Sequence, residues 1–458
     1  MTTNVVTGRR EQASTLTHRP GRWLDGYNAE DAAFWEREGR ALARTNLRWS
    51  IFAEFLGFAV WQLWAITVVF LPRAGFAFSD AQTFWLISMP ALVGATLRIP
   101  YTFTVARFGG RNWTIVSALL LLIPTIGLAL AVGNPATPFW AMLLIAATAG
   151  FGGGNFASSM ANITFFYPAR EKGYALGLNA AGGNLGAAIS QLIVPIVVTV
   201  GAAGTLNLPL AGWVWVPLIL IAAWGARRFM HNLSHAKGDL AGSLAATTEP
   251  HFWVLSLLYI GTFGSFIGFS GVFPKLIKDV FPAFSTVSLG VAAVSLSFLG
   301  PLVGSLARPY GGRLADRFGG AIVTVWAFLA MAALALTVVA TLPMANFWLF
   351  LGLFLALFVA SGLGNGSTYR MIPTIYRLKA HRSADGVTPE RKASAALGLI
   401  SAIGAYGGFA IPQVLSAAKT GTGTYNAAFY GFVAFYLVAT AITWACYLRR
   451  GAGHAERI

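Results

Sequence analysis

Arg98 and Arg308 each stand inside a long apolar run, where nearly every other charge is excluded. A guanidinium carries five N–H donors in a planar fork, which suits a small planar oxyanion through paired hydrogen bonds. At mid-depth in a bilayer an unpaired arginine costs from about 3 to over 10 kcal/mol. Such a residue is retained for function or held in a buried ion pair. The ion-pair reading fails on inventory: of 16 acidic residues only Glu54 falls in an apolar run, in its first turn. Two guanidiniums with no carboxylate beside them predict an anion site. Solvated arginines lining a wide pore, or arginines resting on helix C-terminal carbonyls, are the bland alternatives.

The neighbouring sequence offers orienting groups without further charge. Gly150, Gly154 and Ser158 recur at i, i+4, i+8 as a small-residue stripe for close helix approach, with Asn155, Ser159 and Asn162 on another face. Asn179, Gly183, Asn184 and Gly186 follow, and Gly404, Gly407 and Gly408 lie far downstream. Tyr259 and Phe263 share a helix face at i, i+4. Nitrate, nitrite, formate and oxalate are the anions this chemistry suits. Generic helix packing accounts equally for most of the 51 glycines. A helix–helix hydrogen bond is as good a reading of Asn155 and Asn162, and an aromatic stripe is ordinarily core or lipid-facing.

The elements that must position these groups are membrane spans. Of the 458 residues 56% are hydrophobic and 10% charged, against about 25% charged in a soluble domain. A soluble enzyme and a disordered chain are excluded, as is a disulfide scaffold, since Cys446 is the only cysteine. At roughly 20 residues per crossing, twelve spans are predicted near 50–71, 84–105, 114–132, 139–166, 174–200, 207–226, 252–272, 287–309, 321–342, 346–369, 393–417 and 425–447. With both termini on one side, the segments of that side hold 25 Lys and Arg against 4 on the other. That asymmetry predicts cytoplasmic termini. It also explains most of the net charge of +16 and removes nucleic acid as a partner.

The predicted division is a cytosolic N-terminal segment over 1–49, a six-helix half over 50–229, a central cytosolic loop over 230–251, a second half over 252–448 and a tail over 449–458. Within the first segment, 28–44 reads as a short amphipathic helix capped by Asn28. His231 and His235 lie four apart with no third ligand nearby, so no metal and no cofactor are expected.

The halves are a repeat. Leu92-Val-Gly-Ala-Thr-Leu-Arg98, running on to Gly110, matches Leu302-Val-Gly-Ser-Leu-Ala-Arg308, running on to Gly320, at a constant register of 210 residues with eight identities in 19 positions. Gly150-x-Gly-x-Gly154 pairs with Gly362-x-Gly-x-Gly366, and Ala175-Leu-Gly-Leu178 with Ala396-Leu-Gly-Leu399. Parallel six-helix repeats are the plan of the major facilitator superfamily. They set Arg98 and Arg308 facing each other across the central axis. Gly311-Gly-Arg313-Leu-Ala-Asp316-Arg317-Phe-Gly-Gly320 resembles that superfamily's loop signature, in which Arg313, Asp316 and Arg317 would form a cytoplasmic latch. The first copy has Ala106 in place of the acid.

Gly152-Gly-Gly-Asn-Phe-Ala-Ser-Ser-Met-Ala-Asn162-Ile-Thr-Phe-Phe-Tyr-Pro168 and Gly173-Tyr-Ala-Leu-Gly-Leu-Asn179-Ala-Ala-Gly-Gly-Asn184-Leu-Gly186 closely resemble the nitrate signature of the bacterial nitrate/nitrite porters. Gly362-Leu-Gly-Asn-Gly366 with Ala396 to Gly408 is similar to its second copy, and the likeness extends from about Trp35 to Tyr447. It implies an all-α fold of twelve transmembrane helices in the bacterial inner membrane. Arg98 and Arg308 would clamp the anion, Phe156 and Phe263 sandwich its flat face, and Tyr259 and Asn184 add hydrogen bonds. Gly154, Gly183, Gly186, Gly366, Gly404 and Gly407 would let the helices rock. The chain resembles the exchanger group more than the proton-coupled importers, with two departures: the acid Glu54, and a lengthened loop over 381–390. The expectation is nitrate/nitrite antiport by a monomer. Nitrate/proton symport is the alternative; a small-carboxylate exchanger or a sensor fits less well. No nucleophile, metal cluster or paired carboxylates suggest an enzyme.

Overall fold

A computed structural model describes residues 16–200, 206–236, 240–378, 388–449 and 458. The apolar runs fold as Ala32–Ala74, Asp80–Phe108, Gly110–Val132, Phe139–Phe166, Ala169–Val200 and Leu210–Phe229, then Pro250–Val280, Gly320–Met344, Phe347–Tyr376, Arg391–Thr422 and Asn426–Leu448. Between the seventh and ninth of the predicted spans lies Leu299–Phe318. It carries Arg308, Arg313, Asp316 and Arg317, and so is too polar to register as a crossing helix by composition. It packs as one all the same, against Phe347–Leu378. Counted with it, the helices are referred to below as spans one to twelve.

Three expectations are corrected. Span eight begins at Leu299, not 287, because residues 287–294 form a hairpin of β-strands Val287–Leu289 and Ala292–Val294 around Gly290, whose φ is +64°. Asn28 caps no helix: its Oδ1 accepts from Glu30 N, and Asp31 Oδ1 accepts from Ala33 N and Phe34 N. The predicted amphipathic helix is therefore not a separate surface element. It starts at Ala32, passes through a π-turn over Trp35–Gly39 and runs on into span one. The loop over 381–390 lies outside the described residues up to 387.

The two halves mirror each other in packing. Span two lies on span four as span eight lies on span ten, and the halves meet where span two touches span eleven and span five touches span eight. Span ends repeat as well: Arg98 and Arg308 each precede their helix end by ten residues, and Gly109 and Gly319 follow at φ +85° and +98°. Ten residues are about 15 Å of helix, which sets both arginines at one depth.

One face of the molecule carries the N-terminal strap. Thr17–Arg19 and Trp23–Asp25 form a hairpin, and the second strand pairs in parallel with Asn232–Leu233 of the central segment. Arg22 donates to the carbonyls of Phe229 and Met230 and lies 2.8 Å from His231 Nε2. His235 stacks on Tyr27.

Candidate anion-binding site

Arg98 is fully buried and reaches across the molecule. Its Nε donates to Gly153 O of span four at 3.0 Å, and its Nη1 to Ser401 O of span eleven, in the other half, at 3.0 Å. Its Nη2 has no protein partner. The guanidinium carbon lies 4.5 Å from the Phe156 ring centroid, 5.1 Å from Phe263 and 5.3 Å from Trp61. Cation–π contacts of this kind contribute about 0.5–2 kcal/mol each. They hold a desolvated cation without adding negative charge.

Arg308 is bound more loosely. Its Nη2 makes a long 3.5 Å contact to Tyr259 OH, and its Nη1 has no protein partner. Its carbon lies 5.8 Å from Phe156 and 5.4 Å from Tyr369. Phe156 thus contacts both guanidiniums, and each guanidinium retains an unshared N–H group. A buried donor left unshared costs about 1–3 kcal/mol, which an anion's oxygens would recover.

The aromatic wall follows from the backbone. Span seven contains a π-turn over Ile260–Gly264, bounded by Tyr259 and including Phe263. Such turns concentrate at functional sites. The two rings stack at 5.2 Å, and Phe263 stacks on Phe156 at 6.3 Å. Span eleven can pass close because a Cβ on Gly404 or Gly407 would collide with Tyr259 or Gly264. Gly154 lies against Tyr101, Gly183 against Glu54, Gly186 against Phe55 O and Gly366 against Arg308 O. Asn184 is fully buried with neither amide atom bonded to protein.

A cavity of about 550 Å³ leads from the strap face, beside His235, to Phe156, Tyr369 and Ser401, the residues against the guanidiniums. Thr102, Phe156, Met160 and Thr164 line it from the first half, and Tyr369, Arg391, Leu397 and Ser401 from the second. Toward the opposite face the halves are tied together. Lys275 pairs with Asp80 of the other half at 2.7 Å, Lys278 Nζ donates to Val69 O, Gln413 Nε2 to Ser88 Oγ and Gln191 Nε2 to Ser270 O.

Sequence reasoning misses three groups and misplaces a fourth. Trp61 and Tyr369 are rings against the arginines. At the 212-residue register that pairs Gly154 with Gly366, Tyr369 falls opposite Ala157, so the repeat does not point to it. Arg370 Nε pairs with Asp316 at 2.5 Å, whereas Arg313 and Arg317 lie over their neighbours Tyr310 and Phe318. Glu54 is expected in the first turn of span one. It is fully buried well along span one, with Asn179 Nδ2 donating to its Oε2 at 2.7 Å. The charged stretch preceding residue 50 concealed how early that helix begins.

Two packed six-helix halves around a paired cationic site, open on one face and tied on the other, define a membrane carrier of the alternating-access class. The model of the major facilitator superfamily matches residues 52–412. The nitrate/nitrite transporter NarU of Escherichia coli strain K12 is 42% identical over 93% of this chain and 96% of its own. The probable nitrate/nitrite antiporter NarK2 of Thermus thermophilus is 36% identical over 95% of this chain and 99% of its own. In fold the chain is similar to a bacterial homologue of the lysosomal transporter Spinster in its inward-facing, occupied form, with TM-score 0.62 and 19% identity over 87% of this chain and 95% of that one. The chain belongs to the nitrate/nitrite porters of the major facilitator superfamily.

Proposed function

We propose that this protein exchanges nitrate and nitrite across the bacterial cytoplasmic membrane by rocking its two halves about the arginine pair. The observation that carries this reading is the unshared N–H on each of Arg98 and Arg308, one from each half, behind Phe156, Tyr369 and Ser401 in the wall of a cavity, with the halves tied toward the opposite face. The anion would bridge the two guanidiniums, with Phe156 and Phe263 against its plane and Tyr259 and Asn184 as further donors. Bridging draws the halves together at the centre and lowers the charge that resists closing. The return stroke needs an anion for the same reason, which makes the cycle an exchange. Asp316 and Arg370 would latch span ends on the strap face, which we assign to the cytoplasm together with both termini. The working unit is a monomer, since both arginines belong to one chain.

Proton-coupled uptake is the second reading, favoured by the buried Glu54. Purified protein in liposomes separates the two. Exchange requires nitrate uptake only into vesicles loaded with nitrate or nitrite, unaffected by an imposed proton gradient. Gradient-driven uptake into anion-free vesicles replaces exchange with symport.

A further inference from the structure

Four arginines meet at one edge of the strap face with no acid among them. Arg111, at the start of span three, donates from Nε and Nη2 to Arg227 O at 3.1 and 2.9 Å, and from Nη1 to Gly21 O at 3.3 Å. Arg22, the next residue of the strap, donates to Met230 O at 2.9 Å and to Phe229 O at 3.2 Å. Both rest on carbonyls at the end of span six, which a helix leaves unsatisfied. Those carbonyls hold the guanidiniums in place but offset no more than the partial charge of a helix end. Arg227 and Arg228 lie in the last turn of that helix with exposed side chains. Burial and the neighbouring Arg228 hold Arg22 below its ordinary pKa range. Among the described residues no carboxylate pairs with any of the four, and the strap's own Asp25 is taken by Arg19 at 2.6 Å. Insertion bias places arginines on one side of a membrane. It does not bring four of them from three distant segments to one helix end, where they repel one another.

The face of span six that leads to these arginines is apolar and open. Leu220, Trp224 and Arg228 stand at i, i+4, i+8, and the first two are 49% and 59% exposed. Trp224 packs edge-on against Phe229 at 5.6 Å, and Arg228 lies over the same ring at 5.5 Å. An apolar strip thus gives way to an aromatic pair and then to cations, the order of acyl chain, interface and headgroup. We propose that this edge binds an anionic phospholipid, its phosphate on Arg227 and Arg228 and its chains along Leu220 and Trp224, and that the bound headgroup holds the strap docked. Guanidiniums take a phosphate through paired N–H donors. A soluble phosphate would use the arginines alone, whereas a lipid also covers the strip beneath them. Negative charge at this point relieves the repulsion between Arg22 and Arg228. Arg22 is the one arginine of the four that leaves when the strap lifts, so docking comes to depend on the lipid of the leaflet it faces. The strap in turn bears on the cavity, because His235, which lines it, stacks on Tyr27.

The test uses the full-length protein at neutral pH. Native mass spectrometry of the detergent-purified protein, titrated with phosphatidylglycerol, should show a tightly held lipid that phosphatidylcholine does not replace. Arg227→Gln with Arg228→Gln should weaken that binding roughly twenty-five-fold, about fivefold for each arginine taken from an anionic headgroup. In nanodiscs, amide protection of residues 17–25 should be roughly fivefold higher in phosphatidylglycerol than in phosphatidylcholine, the share of Arg22 alone. The difference should vanish in the double variant. It should persist when Arg44 and Arg48, two exposed arginines at the start of span one, are changed to glutamine instead. Equal protection of the wild-type strap in the two lipids would overturn the proposal, as would an equal loss in the Arg44 and Arg48 variant, which marks general surface charge. Full protection restored in phosphatidylcholine by inorganic phosphate would overturn it in favour of a soluble anion. If the double variant does not fold, the wild-type comparison between lipids still decides. Neither readout involves nitrate, so the outcome is independent of the exchange reading.

Discussion

At the scale of single residues, Arg98 performs two tasks that only a guanidinium can combine. Two of its nitrogens hold backbone carbonyls of opposite halves, and the third remains for an anion. A lysine at that position keeps the charge but presents a point ammonium, which cannot span Gly153 O, Ser401 O and an anion together. Arg98→Lys should therefore lose nitrate exchange by roughly a hundredfold, the loss of one to two charge-assisted hydrogen bonds at about 1.5–3 kcal/mol each. Its thermal midpoint in detergent should stay near that of the wild type, because the charge still lies against Phe156, Phe263 and Trp61. Near-normal exchange by this variant would mean that the anion is bound by field alone and not by a fork.

At the scale of elements, close helix contact is what the paired glycines provide. A Cβ on Gly366 would lie 2.8 Å from Gly312 N and against Arg308 O, both backbone atoms of span eight that cannot rotate away. Gly366→Ala should cost about 1–3 kcal/mol by overpacking and slow exchange by displacing Arg308. A melting scan beside an exchange assay checks both, and an unperturbed melt would show that spans eight and ten can part. A second element, the strap, is sensitive to acid. His231 is pushed down to about 4 by burial and by the neighbouring Arg22, His18 and Arg111. Released, it titrates near 6.5. Between those values the undocked strap binds the proton and the docked strap does not, so docking weakens as pH falls from about 6.5 to about 4. Protection of the amides of residues 17–25, taken relative to the intrinsic exchange rate at each pH, should fall over that window in the wild type and stay flat in His231→Gln. The spans, the repeat and the arginine pair were legible in sequence because exclusion of charge from lipid is a local, countable signal. Tyr369 and Trp61 were not, because a ring facing an arginine and a ring facing lipid have the same composition. Nor was the depth of Glu54, since charges before residue 50 belong to a helix that starts outside the apolar run. The hairpin at 287–294 reads as apolar but forms strands around Gly290, a turn signal that competed with hydropathy and prevailed.

At the scale of the whole molecule, one cluster ties the halves on the face away from the strap. Lys275, 6% exposed at its side chain, sits between Asp80 of the first half and Asp279 of its own helix at 2.7 and 2.8 Å. The Tyr425 hydroxyl also donates to Asp279. Asp80 is half exposed, so its own share is small. The buried lysine is the costly member, because once the halves part on this face it would keep only Asp279. Lys275→Met removes the one ion pair among the described residues that crosses between the halves here, while the glutamine and Lys278 contacts remain. The balance should move toward opening on that face by about 1–3 kcal/mol, a five- to hundredfold change in the populations. Ala91, buried where span two meets span eleven, offers a reporter. With Cys446 replaced by serine, Ala91→Cys should react with a membrane-impermeant thiol reagent at least fivefold faster when Lys275→Met is added. Saturating nitrate should narrow the difference, since an anion bridging the arginines favours the closed centre in either background. Equal labelling rates with and without Lys275 would show that the glutamine and carbonyl contacts hold this face without the ion pair.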